Sequence, residues 1–200
     1  MPVRYRSRTV KKETLQTVSL LTPHVEPGAS VLDIGCGEGY VLDELAARGV
    51  TNVQGVDIVD IRRNKDYAFR LYDGETLPFP DRSFDLVVLS FVLHHVPNER
   101  KLVLLEEALR VSRAKVVVVE DTPSTAFDRL MNHRHGESYR RKIGSTAAFG
   151  FLTEGEWRWL FRGMGLEPES RPLSRFCRSI LQPFARTAFV LRKSRTFAPA

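Results

Sequence analysis

Residues 30–34, SVLDI, form a short apolar run that leads straight into Gly35, Gly37 and Gly39 and then into helix-forming residues from Tyr40. A buried strand, a glycine loop and a helix in that order restrict the fold more than any other feature of the chain. The glycines let the backbone turn sharply and let a ligand approach its amides. The same alternation continues downstream. Strands are expected at 52–57, 68–72, 84–90 (FDLVVLS) and 115–119 (KVVVV), and helices at 40–48 and 98–111. Continuous β-branched runs between amphipathic helices indicate a parallel sheet covered on both faces.

The flanks are less regular. A helix is expected at 13–22 with Leu15, Val18 and Leu21 on one face, stopped by Pro23 and followed by a turn at 26–28. In helix 98–111, Asn98 is the expected N-cap, with Leu102, Leu105 and Leu109 facing the sheet. Residues 121–150 are polar, aromatic and without clear period, and read as an inserted cap. Thr153 and Glu156 form a capping-box signature before Trp157, Leu160, Phe161 and Met164 at helical spacing. Trp157 is expected in the core, and Trp159 exposed or against the cap. Two final strands, near 166–173 and 184–191, are expected to pair antiparallel at a sheet edge.

With 200 residues and an ordinary share of apolar and charged residues, the chain reads as one domain: an N-terminal segment 1–27, a core 28–120, the cap 121–150 and a C-terminal part 151–200. Two cysteines, Cys36 and Cys177, exclude a disulfide framework and a four-thiolate metal site. No apolar run approaches the ~20 residues that span a bilayer, and the first twenty residues lack a signal-peptide core. A cytoplasmic chain with free thiols is expected. The net charge of +6 is uneven: five basic and no acidic residues occupy 1–12, and seven basic and no acidic residues occupy 171–200. Such ends attract nucleic acid, acidic partners or anionic lipid, or are simply solvated.

The loop's chemistry narrows its ligand. A pyrophosphate site prefers G-x-G-x-x-G, and here Tyr40 takes the third glycine's place. Asp33 precedes the loop and Glu38 lies within it, an unfavourable setting for phosphates and a favourable one for a cationic ligand. Asp57 ends the next strand, where a carboxylate accepts ribose hydroxyls. A nucleoside that carries an amino acid and no phosphate fits, and S-adenosylmethionine is such a molecule.

VLDIGCGEG, then GVD, then YDGETLPFPDRSFDLVVLSFVLHHV resembles the class I S-adenosylmethionine-dependent methyltransferases, in particular the small ubiquinone/menaquinone-biosynthesis-like group. The resemblance covers roughly residues 28–120. It implies an α/β, Rossmann-like, doubly wound and mostly parallel sheet, with an antiparallel C-terminal edge and the cap after strand five. It implies that the loop 35–37 with Asp33 binds the cofactor, Asp33, Gly35 and Gly37 holding the methionine end and Cys36 lying among the cofactor-binding residues; Cys36 itself reads as a small packing residue rather than a nucleophile, with no base at a fixed spacing. Asp57 and Ile58 would flank ribose and adenine, Asp73 and Gly74 the adenine edge, and Ser90 and Phe91 the methyl region. The family's usual small residue after that aspartate is here Gly74.

Methyl transfer from a sulfonium is an in-line displacement, so the protein's work is alignment, exclusion of water and, for some acceptors, proton removal. His95, Asp121, His133 and His135 are the candidate bases. His94 and His95 are expected to diverge, with His94 a packing residue. His133 and His135 have metal-like spacing but no third ligand, so no metal is expected. A small organic acceptor, methylated at O, N or C, is expected between the sheet's carboxyl edge and the cap. The alternatives are an RNA or protein methyltransferase, prompted by the basic ends, and a non-catalytic nucleoside-binding regulator.

Overall fold

The computed structural model describes residues 12–143, 150–172 and 185–192. At its centre, five parallel strands lie side by side: β1 (Val31–Ile34), β2 (Val53–Asp57), β3 (Ala68–Leu71), β4 (Phe84–Ser90) and β5 (Ser112–Asp121). β6 (Glu169–Pro172) and β7 (Arg186–Arg192) extend the sheet, in the order β3-β2-β1-β4-β5-β7-β6 among the described residues. β7 is antiparallel to both its neighbours. The order reverses between β1 and β4, a topological switch point. In open α/β sheets this switch point is where ligands bind.

The continuous apolar runs are explained by cover on both faces. Leu32, Ile34, Val87, Leu89, Val116 and Val118 pack under α3 (Asn98–Val111) and α5 (Glu154–Gly163). Val31, Leu86, Val88, Val117 and Val119 face the other way, under α1 (Lys12–Leu21) and α2 (Tyr40–Ala47). Leu42 and Leu45 of α2 are fully buried there, each worth roughly 1.5–3 kcal/mol of transfer free energy. The Thr153–Glu156 capping box starts α5 as expected, and Trp157 and Phe161 bury its inner face while Trp159 is exposed.

Several expectations are corrected. In α1, Leu15 is exposed, and Val18 and Leu21 are buried beside Thr14 and Thr17. The residue that caps α3 is Pro97, not Asn98; the Asn98 side chain instead accepts from Lys101 Nζ at 2.8 Å. Leu104 rather than Leu102 faces the sheet, at 4% against 42% exposure. The 121–150 segment is not irregular throughout. Asp121 is the last residue of β5, and α4 (Ala126–Ile143) fills most of the remainder. Thr125 Oγ1 accepts from Asp128 N at 3.0 Å, and Asp128 Oδ2 accepts from Thr125 N at 3.0 Å, a reciprocal cap that starts this helix.

Candidate active site

The glycine loop is held to the sheet by its own backbone. Gly35 N donates to Val56 O at 2.8 Å, and Gly39 N donates to Cys36 O at 2.9 Å. Gly35 has φ 68°, and a Cβ there would overlap Val92 where the chain leaves β4. Only glycine therefore lets the loop close over the switch point. Cys36 is buried with its sulfur against Gly55, and burial pushes the thiol well above its ordinary range. A thiol kept protonated is a packing group rather than a nucleophile.

Asp57 ties the loop to β2. Its Oδ2 accepts from Gly37 N at 2.8 Å and its Oδ1 from Ile58 N at 2.7 Å. Each oxygen keeps accepting capacity, because an ionised carboxylate offers about four lone-pair positions. Asp33 lies in the middle of the sheet, between Gly55 and Val88, and is only 2% exposed. Burial, and then the nearby Asp57 charge, push its carboxyl up to about 8. A cation placed beside these two acids would favour the ionised form of both.

The next residues close the same corner. Ile58 is strongly exposed, and a Cβ on Gly74 would lie 3.4 Å from its Cγ2, so the ends of β2 and β3 meet. Asp73 is spent on its own turn, with Oδ1 accepting from Glu75 N at 2.8 Å and Thr76 N at 3.2 Å, which hold its carboxyl below the usual range. Phe91 follows Ser90 with φ 57°, an uncommon conformation for a residue with a side chain. Its amide bonds Val119 O at 2.8 Å, and the Arg186 guanidinium covers its ring at 4.8 Å.

The candidate bases fall into different settings. The His94 and His95 rings do not diverge; they sit 4.1 Å apart. His94 is buried and shares a 2.6 Å hydrogen bond between Nδ1 and Glu120 Oε2, while His95 is half-buried. Asp121 is buried and takes Arg186 Nε at 2.8 Å, and the same guanidinium reaches Glu13 of α1 at 3.8 Å. His133 is exposed on α4, and the side chain of His135 lies outside the described residues. Glu120, Lys101 and Arg186 were not singled out from sequence. Glu120 Oε1 also accepts from Leu93 N at 2.7 Å, and burial pushes Lys101 down to about 8. The one available signal was a charged residue ending, or interrupting, an apolar run.

At the carboxyl end of β5, against Arg186, whose guanidinium lies over the Phe91 ring, is a cavity of about 380 Å³. Thr122–Ser124, the first turn of α5 and the start of β7 line it. Its wall thus includes the beginning of the segment expected to form a cap.

The chain resembles known proteins in sequence and in fold. A family model described as a methyltransferase domain matches residues 4–171. The demethylmenaquinone methyltransferase of Renibacterium salmoninarum is 39% identical over 146 residues, 66% of this chain and 61% of that protein. That of Tropheryma whipplei is 39% identical over 151 residues, 68% and 62% of the two chains. The chain thus spans about three fifths of the length of these relatives, and less of others. Among solved structures, a SAM-dependent methyltransferase from Methanosarcina mazei has a TM-score of 0.66 at 19% identity, covering 87% of this chain and 96% of that one. A Burkholderia thailandensis 1,6-didemethyltoxoflavin-N1-methyltransferase, with S-adenosylhomocysteine bound, has a TM-score of 0.70 at 16% identity, covering 91% and 78%. These two likenesses are of fold.

Proposed function

We propose that this chain, which belongs to the class I S-adenosylmethionine-dependent methyltransferase family, transfers the methyl group of S-adenosylmethionine to a small organic acceptor. One observation carries the reading: Asp33, the 35–39 glycine loop, Asp57 and the Ile58–Gly74 corner converge at the sheet's switch point. The residues present fit the cofactor. Buried Asp33 would hold its ammonium beside the Asp57 charge, the remaining lone pairs of Asp57 would accept from its ribose hydroxyls, and exposed Ile58 beside Gly74 would cover its adenine. The loop holds no basic side chain for a phosphate. When bound, the cofactor supplies an electrophilic methyl carbon on a sulfonium.

The chain's own groups then have limited tasks. Ser90 and Phe91 shape the methyl region. The cavity beyond Phe91 holds the acceptor in line, and α1, tied by Glu13 to Arg186, helps exclude water. Where the acceptor must lose a proton, His95 is the strongest of the four candidates, since Asp121 is engaged by Arg186 and His133 is exposed. The 121–150 segment selects the acceptor, because Thr122–Ser124 form part of the cavity wall. A quinol ring of the kind named for the curated relatives is the first acceptor to test.

The test is calorimetry with S-adenosylhomocysteine, followed by transfer of labelled methyl from S-adenosylmethionine to reduced demethylmenaquinone and to a panel of small phenols and amines. Binding with turnover of at least one acceptor is expected. Binding without turnover of any would favour the regulator, and labelled RNA alone would move the acceptor class.

A further inference from the structure

We propose that the outward face of α4, together with Trp159 of α5, docks the protein on an anionic lipid bilayer. Three large apolar side chains stand in water here: Phe127 is 59% exposed, Leu130 56% and Trp159 80%. Phe127 and Leu130 are three residues apart, so they lie on one side of α4, and exposed Arg134 follows one turn later on that side. The opposite side is the buried one, carrying Asp128 and Asn132. Ser124, just before α4, and Thr153–Gly155, at the start of α5, line one cavity, so the N-terminal ends of the two helices are neighbours, and Trp159 lies in the next turn of α5.

Charge decides the occupant. The α4 sequence carries Arg129, Arg134, Arg140, Arg141 and Lys142 against Asp128 and Glu137. Asp128 is consumed by the helix cap, where it accepts from Ser124 and Thr125. Arginines beside exposed aromatic and aliphatic side chains suit an anionic membrane interface. The apolar groups enter the acyl boundary, tryptophan sits at headgroup level, and arginine meets anionic headgroups. The chain's net charge of +6 adds to the attraction. Thr122–Ser124, directly before α4, line the cavity, so a bilayer under this face lies near it. The consequence, that the acceptor is lipid-borne, rests on the methyltransferase reading; the docking itself does not.

The experiment measures docking without turnover. The full chain is sedimented with vesicles of phosphatidylcholine containing about 30 mol% phosphatidylglycerol, and with phosphatidylcholine alone. Binding to the anionic vesicles only, weakened by salt, is expected, with a blue shift of tryptophan emission. That shift reports Trp159, because Trp157 is buried. Phe127→Ser with Leu130→Ser should weaken vesicle binding about tenfold, and Arg129→Glu with Arg134→Glu should abolish it. Both variants should keep the wild-type melting temperature and S-adenosylhomocysteine affinity. The proposal is overturned if wild type stays in the supernatant, or if the serine variant binds vesicles as tightly as wild type. It is also overturned if this face instead forms a concentration-dependent dimer that the serine variant abolishes. Vesicle binding with no S-adenosylhomocysteine affinity would remove the cofactor reading and leave the docking standing.

Discussion

Asp33 is a buried acid with no paired cation among the described residues, and that has consequences for stability as well as binding. Its folded pKa, about 8, lies above the ordinary aspartate value. Between the two values the folded state binds more protons than the unfolded state, so stability falls as pH rises through that window. Asp33→Asn should therefore be more stable than wild type near pH 8, and its stability should decline less from pH 5 to 8. Urea unfolding across that range measures both. The same variant should bind S-adenosylmethionine more weakly, since the ammonium loses its counter-charge. Equal pH profiles for the two proteins would show that Asp33 is solvated. Asp57 differs: it is anchored by two backbone amides, so replacing it with alanine would also free the Gly37 and Ile58 N–H groups. Asp57→Asn keeps the shape and loses the charge. Calorimetry should show a loss of about 1.5–3 kcal/mol in cofactor binding, the range for hydrogen bonds to a charged group.

Helix α3 gives the sharpest test at the level of elements. Leu104 is buried against β4 and β5, and Leu102 is on the solvent side. Leu104→Ala should cost roughly 2–5 kcal/mol, and Leu102→Ala should stay within about 0.5 kcal/mol. Thermal melts of the two would check this, and the reverse ranking would mean that α3 is rotated. The sequence expectation had chosen Leu102 because a 3.6-residue period fits several overlapping leucines, and only packing decides among them. The strands and the glycine loop were legible because β-branched runs and glycines act locally. Helix α4 was not, because its few apolar residues, Phe127 and Leu130 among them, set no helical period along its length. Its one local signal was the Thr125–Asp128 cap. The Glu120–His94 and Asp121–Arg186 pairs were invisible for another reason: their partners are 26 and 65 residues away along the chain. A linear pattern cannot pair charges that the sheet brings together.

For the molecule as a whole, the site's residues link five adjacent strands. Gly35 and Asp57 join β1 to β2, Gly35 packs on the exit of β4, Phe91 N bonds β5, and Asp121 pairs with Arg186 of β7. A ligand seated there binds only the assembled sheet, so it should stabilise the whole fold against unfolding rather than one corner. At about 100 times its dissociation constant, S-adenosylhomocysteine should add about 2.7 kcal/mol. For a chain of this size each kcal/mol raises the melting temperature by about 2–4 °C, so a rise of about 5–11 °C is expected. One transition should move intact, followed by far-ultraviolet circular dichroism for the helices and by fluorescence of buried Trp157 for the core. NAD at equal concentration should leave the midpoint unchanged, because Tyr40 stands where its pyrophosphate loop needs a third glycine. A shift with NAD and none with S-adenosylhomocysteine would assign the site to a dinucleotide. A shift in only one of the two signals would mean that β7 and α5 unfold apart from the cofactor-binding strands.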